Sequence, residues 1–136
     1  MKVIIDTNIW ISFIISAKLD ELVHLIIDND ITVYTSAALE DELTEVLSRE
    51  KFIKYLNLPV LEYVLFQKEL CIAINILSLF QDSPDPKDNF LFDMAFQSDA
   101  THILTGDKKL LDMQSIDSIQ LISLSNFKML FLWKVV

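Results

Sequence analysis

The chain predicts an α/β fold, a three-layer α/β/α sandwich built on a central, mostly parallel sheet of four to five strands. Two observations predict it. Short runs rich in Val, Ile and Leu alternate with longer stretches of helical apolar spacing, the pattern of strands laid side by side with helices as crossovers. The short runs are also apolar on successive residues, as strands buried on both faces must be. With 136 residues, 52% of them apolar, the chain fits one domain (1–136) able to bury a real core and is too hydrophobic for a disordered segment.

Taken in order, residues 3–6 (Val-Ile-Ile-Asp) read as a buried strand ending on a carboxylate, and 9–15 as a short apolar helix packed behind it. Residues 20–28 carry Leu22, Val23, Leu25, Ile26 and Ile27 and form a helix that Asn29 closes; 31–35 is the second strand. Ser36 is an N-cap for a helix whose stripe is Leu39, Leu43, Val46 and Leu47. Asn57-Leu-Pro59 breaks the chain, 60–76 reads as one helix, and 77–80 as a short buried strand. The stretch 81–87, with Pro84 and Pro86, is a loop that stops one element and starts the next. A helix over 88–99, a strand over 102–105, a short helix over 108–112 and a strand over 119–122 follow, with Ser125 capping a closing helix.

Composition removes several function classes. The only glycine is Gly106, so phosphate-cradling loops that need several glycines are excluded. Its place in a Thr-Gly-Asp turn suggests a backbone demand, positive φ or close approach. Cys71 is the only cysteine, which excludes a disulfide framework and a thiolate metal site and points to a reducing cytoplasm. No run of about 18 residues is free of charge, so no membrane span is expected; the apolar stretch 71–80 reads as core. The strand pattern begins at Met1, leaving no room for a signal peptide. The net charge of −9 with one arginine, Arg49, argues against binding that depends on broad phosphate neutralisation.

What remains is a set of acids. Asp6, Glu42, Asp88 and Asp107 lie far apart in sequence, yet each falls where a strand or helix begins or ends, and a parallel sheet brings such points to one edge. Taken singly each has a bland reading: Asp6 a turn residue, Glu42 part of a solvated acidic run with Glu40, Asp41 and Glu45, Asp88 a helix cap and Asp107 a tight turn. Together they form an all-oxygen cluster that needs a cation, and such clusters suit Mg²⁺ or Mn²⁺ serving phosphate chemistry. Asn8, Thr105 and Asp93 are candidate supporting groups, and Asp85 a weaker acid. Thr7 and Ser36 offer hydroxyls. His24, His102 and Trp10 read as packing residues, while Trp133 near the C-terminus is a candidate contact surface.

The order of these pieces resembles the PIN-domain family. The matching fragments are Val-Ile-Ile-Asp6-Thr-Asn8, Ser36-Ala-Ala-Leu-Glu-Asp-Glu42-Leu, Asp85-Pro-Lys-Asp88-Asn-Phe-Leu-Phe-Asp-Met-Ala95 and Ile103-Leu-Thr105-Gly-Asp107-Lys-Lys. With Ser-Arg-Glu-Lys-Phe52, the chain resembles the branch holding toxin components of bacterial toxin–antitoxin pairs, akin to VapC-like ribonucleases. The resemblance implies a metal-dependent endoribonuclease in which Asp6, Glu42, Asp88 and Asp107 hold one or two Mg²⁺ or Mn²⁺ ions, Asn8 supports Asp6, and Thr105 orients substrate or water. Asp93 stands where relatives of this branch often carry Glu. It implies as partners an RNA substrate, a small antitoxin protein and a second copy of the chain in a homodimer. The cations available for RNA are Arg49, Lys51, Lys54, Lys87, Lys108 and Lys109. Two rival classes are a non-catalytic interaction module of the same fold and a receiver- or haloacid-type phosphotransfer domain; the latter needs a second acid beside the first strand, where this chain has Asn8.

Overall fold

The computed structural model describes residues 1–132. The six strands are β1 (Lys2–Ile5), β2 (Thr32–Thr35), β3 (Ile72–Ala73), β4 (His102–Leu104), β5 (Ser115–Ile116) and β6 (Ile119–Ile122). The helices are α1 (Thr7–Ile15), α2 (Leu19–Asp28), α3 (Ala37–Leu47), α4 (Glu50–Ile53), α5 (Val60–Leu70), α6 (Asn89–Ser98), α7 (Lys108–Leu111) and α8 (Leu124–Met129). A short 3₁₀ turn, Pro86–Asp88, precedes α6.

One sheet runs in the order β3-β2-β1-β4-β6-β5. Every pairing is parallel except β5 with β6. With its flanking helices it makes the mostly parallel α/β/α architecture that the sequence predicts. It has six strands rather than four to five, because two-residue β3 and β5 are too short to leave an apolar run. The chain leaves β1 for β2 on one side, and β4 returns to β1 on the other. That reversal opens a crevice beyond the carboxyl ends of β1 and β4, where open α/β sheets bind ligands.

Burial explains the central elements. Val3, Ile4, Ile103 and Leu104 are fully buried in β1 and β4, and α6 lies across β1, β2 and β4 with Leu91, Phe92, Met94 and Ala95 inward. Ser36 caps α3 as expected, accepting from the Leu39 N–H at 3.3 Å. Leu39, Leu43 and Leu47 then bury one side of α3, which fixes the rotation of the helix and hence the direction of Glu42. Trp10 is fully buried.

Several expectations fail, each for a physical reason. The helix over 60–76 stops at Leu70; Cys71 is extended, and β3 pairs with Tyr34 and Thr35 of β2. No strand forms over 77–80. The backbone donors it would need go instead to α6: Leu79 and Phe80 N–H both donate to Asp93 Oδ1, at 2.9 and 2.8 Å, and Leu77 N–H to Gln97 Oε1 at 2.8 Å. Nor is 71–80 core, since Ile72, Leu77 and Leu79 are exposed. Ser123, not Ser125, caps α8. His24 is exposed beside Asp28, whereas His102 is buried against Phe127. Trp133 lies outside the described residues. Among the described residues no helix is long and apolar enough to cross a membrane. The half-buried Cys71 thiol is pushed up to about 12, by burial first and then by the Glu40 charge, so it stays protonated and unreactive.

Because α3 is seated through its leucines, Leu43→Ala is expected to cost about 2–5 kcal/mol of stability, read from the urea unfolding midpoint.

Candidate active site

The crevice at the sheet reversal holds a pocket of about 240 Å³ lined by Asp6, Thr7, Asn8, Ile11, Glu42, Val46, Asp85, Lys87, Asp88 and Asp107. All four acids singled out from the sequence are there. Asp6 follows β1 and stands at the N-cap position of α1 without a side-chain capping bond; Glu42 projects from α3; Asp88 ends the 3₁₀ turn and stands likewise before α6; Asp107 caps α7, accepting from the Lys109 N–H at 2.9 Å. Four distant segments thus deliver a carboxylate each. Asp85, the weaker candidate, is a fifth acid in the wall; its Oδ1 accepts from the Lys87 N–H at 3.0 Å.

The Asp6 carboxylate is buried, with 4% of the residue exposed, and it is anchored from two sides. Oδ2 accepts from the Thr105 hydroxyl at 2.7 Å and from Asn8 Nδ2 at 3.2 Å. Thr105 Oγ in turn accepts the Asp107 N–H at 3.0 Å, and Asn8 Oδ1 accepts the Gly106 N–H at 3.0 Å. These bonds lash the turn after β4 to the turn after β1. Thr105 spends its proton on Asp6, so in this arrangement it positions the acid rather than offering a donor to the pocket.

Gly106 does not meet the backbone demand expected of it. Its φ is not positive, and an added Cβ would lie 3.5 Å from Asn8 Oδ1, an ordinary contact. Asp93 is buried outside the pocket lining and serves the 79–80 backbone. Arg49 pairs with Glu45 at 3.0 Å on the exposed side of α3, while Lys51, Lys108 and Lys109 do not line the pocket. Asp85, the weaker acid of the sequence reading, and Lys87, one of its available cations, both line the pocket, and Pro86 between them marks the turn that carries them.

Burial raises these acids, and their neighbours' charges raise them further. Burial lifts Asp6 above the usual carboxylate range, against the hydrogen bonds from Thr105 and the Thr7 backbone, and the Asp107 charge adds to the rise. Glu42 is pushed up to about 7, by partial burial first and then by Asp6, Asp88 and Glu45. Asp88 is pushed up to about 6, again by burial first, then by Asp6, Asp107 and Asp85. The Thr7 hydroxyl pulls Glu42 slightly down, yet it is buried without a hydrogen bond of ordinary geometry.

A carboxylate-only set of this kind is the donor chemistry of a hard divalent cation, and a cation would offset both the burial of these charges and their mutual repulsion. Among the described residues, no three His, Cys, Asp or Glu side chains are drawn together tightly enough to hold an ion as they stand. The donor types therefore fit, and closure on an ion requires side-chain rotation within the pocket.

The model of the PIN domain matches residues 2–109, which takes in β1, α3, α6, β4 and every acid of the pocket. The chain belongs to the PIN domain family. PIN domains are typically nucleases and generally use divalent metal ions. Over 118 residues, 84% of this chain and 76% of the relative, this PIN domain is 30% identical to an uncharacterized protein of Methanocaldococcus jannaschii. No solved structure matches it significantly.

The raised pKa values set a pH dependence. Because the folded PIN domain holds these acids at higher pKa than the unfolded chain, it binds more protons, and stability falls as pH rises through the shifted values. Without metal, melting temperature should therefore fall between about pH 4 and pH 7, the window set by Asp88 and Glu42. Asp88→Asn should melt a few degrees higher than wild type above about pH 7 and lose that advantage below about pH 4, as scanning calorimetry in chelator-treated buffer would show.

Proposed function

We propose that this PIN domain is a Mg²⁺- or Mn²⁺-dependent endoribonuclease that hydrolyses RNA phosphodiester bonds, and that it acts as the toxin of a toxin–antitoxin pair. The observation that carries the nuclease reading is the convergence of Asp6, Glu42, Asp88 and Asp107 on one pocket at the sheet reversal. Those four residues are the ones to hold one or two ions. Once bound, the metal supplies Lewis-acid activation of the attacking water and neutralises charge developing at phosphorus.

The protein's own groups do the rest. Thr105 and Asn8 fix the Asp6 carboxylate in one orientation at the pocket wall. Asp107 is held at the pocket wall by the Lys109 N–H, which occupies its Oδ1. Glu42, with its value near neutrality, is the acid best suited to exchange a proton with solvent when the site is metal-free. Ile11 and Val46 give the pocket an apolar flank.

The toxin reading draws on the resemblance of the Ser-Arg-Glu-Lys-Phe and Asp-Pro-Lys-Asp segments to that branch. It implies an antitoxin, a small protein that covers the acidic cleft with a basic side chain, and a homodimer. Exposed apolar residues such as Leu61, Leu77 and Leu79 support an assembly that covers more surface than this chain buries alone.

Asp6→Asn and Asp107→Asn keep side-chain shape and remove ligand charge. Each is expected to reduce cleavage of a panel of structured RNAs by more than the ~100-fold that losing a supporting partner of a metal site costs, and EDTA should do the same to the wild type. Full activity of Asp6→Asn protein, purified free of wild type, would overturn the assignment. For the toxin role, the small protein encoded beside this gene should co-purify with it and suppress cleavage. Unchanged cleavage in a stable complex, or no such complex, counts against it.

A further inference from the structure

We infer that Lys87 grips a backbone phosphate of the strand lying in the pocket and is the substrate-binding cation of this site. The inference rests on the nuclease reading and adds to it the residue that offsets substrate charge.

An RNA strand entering this pocket brings one negative charge per phosphate into a wall that already carries five carboxylates, on a chain of net charge −9. Ions held by the acids offset the acids; something else must attract the strand. The structure narrows that role to one residue. Arg49 is committed to Glu45 at 3.0 Å and Lys68 to Glu40 at 3.7 Å. Lys51 and Lys54 sit over the rings of Phe52 and Tyr55, at 4.9 and 5.3 Å. Lys108 and Lys109 are exposed on α7 and do not line the pocket. Among the described residues Lys87 is the sole cation in the pocket lining, and its ammonium makes no ion pair there with any acid.

The backbone beneath it is fixed and the side chain is not. Pro86 stands at the start of the 3₁₀ turn, the Lys87 N–H is held by Asp85 Oδ1 at 3.0 Å, and Asp88 follows directly at the N-cap position of α6. The turn is pinned again by the Ser83 N–H, which donates to Asn89 Oδ1 at 3.2 Å. A lysine on such a base is an ammonium on a flexible four-carbon stem rooted at a defined point of the rim. It can follow a phosphate into the pocket without moving Asp88. Its contact is made with the strand in ground state and transition state alike, so its loss should raise KM with little change in kcat.

The test uses a fluorescein-labelled single-stranded RNA of mixed sequence. In the presence of Mn²⁺, Lys87→Ala should raise KM about 10- to 100-fold, the range for losing one hydrogen bond to a charged group, and Lys87→Arg should recover most of it. Lys18→Ala, at an exposed lysine that stands just before α2 and outside the pocket lining, serves as the control and should match wild type. Binding is measured separately by anisotropy in the Asp6→Asn background, which needs no turnover. There, Lys87→Ala should weaken affinity by a similar factor and reduce the slope of log affinity against log salt by about 0.7, one phosphate contact on a single strand. Equal affinity and slope with and without Lys87, or an absence of RNA binding in that background, overturns the proposal. Failure of the wild type to cleave with Mn²⁺, whatever the binding result, falls instead on the nuclease reading.

Discussion

The Thr105 hydroxyl is the joint on which the site depends. It donates to Asp6 and accepts from the Asp107 backbone, so a single oxygen joins the turns that follow β1 and β4. Asn8 repeats the tie through Gly106. Without these bonds two carboxylates would face each other across the sheet reversal with only repulsion between them. With them, Asp6 can be buried as an acid and still keep one orientation. Burial of a carboxyl with good donors is tolerable where burial of a bare one is not.

The remaining acids are held by a different force. Glu42 and Asp88 reach the pocket because the helices carrying them are seated by apolar side chains, Leu39, Leu43 and Leu47 on α3 and Leu91, Phe92 and Met94 on α6. The hydrophobic core thus holds these acids partly buried and close together, and the raised values of Glu42 and Asp88 reflect that burial first and the neighbouring charges second. Stability given up at such a place is the usual mark of a binding site. A divalent ion held among these acids would relieve the same repulsion.

The region after α5 shows how local sequence is overridden. Residues 71–80 are apolar enough to read as core or as a strand, yet side chains of α6 occupy their backbone donors: Asp93 takes the Leu79 and Phe80 amides, Gln97 that of Leu77. Asp93 therefore serves the loop although its place near Asp88 in sequence hinted at the pocket. One buried carboxylate oxygen accepting two amides replaces a strand partner. The exposed leucines left behind belong to the surface, not the interior.

The sequence by itself determined the parallel α/β order, the Ser36 cap, the four acids and the family, because periodicity, capping chemistry and residue order are local properties of the chain. It did not determine which neighbours join the acids. Asp85 and Lys87 in the pocket, Asp93 outside it, Arg49 turned to Glu45 and Gly106 without a special backbone were decided by tertiary structure. Helix rotation and turn geometry choose among side chains a few residues apart, and those are set by packing against segments far away in the chain.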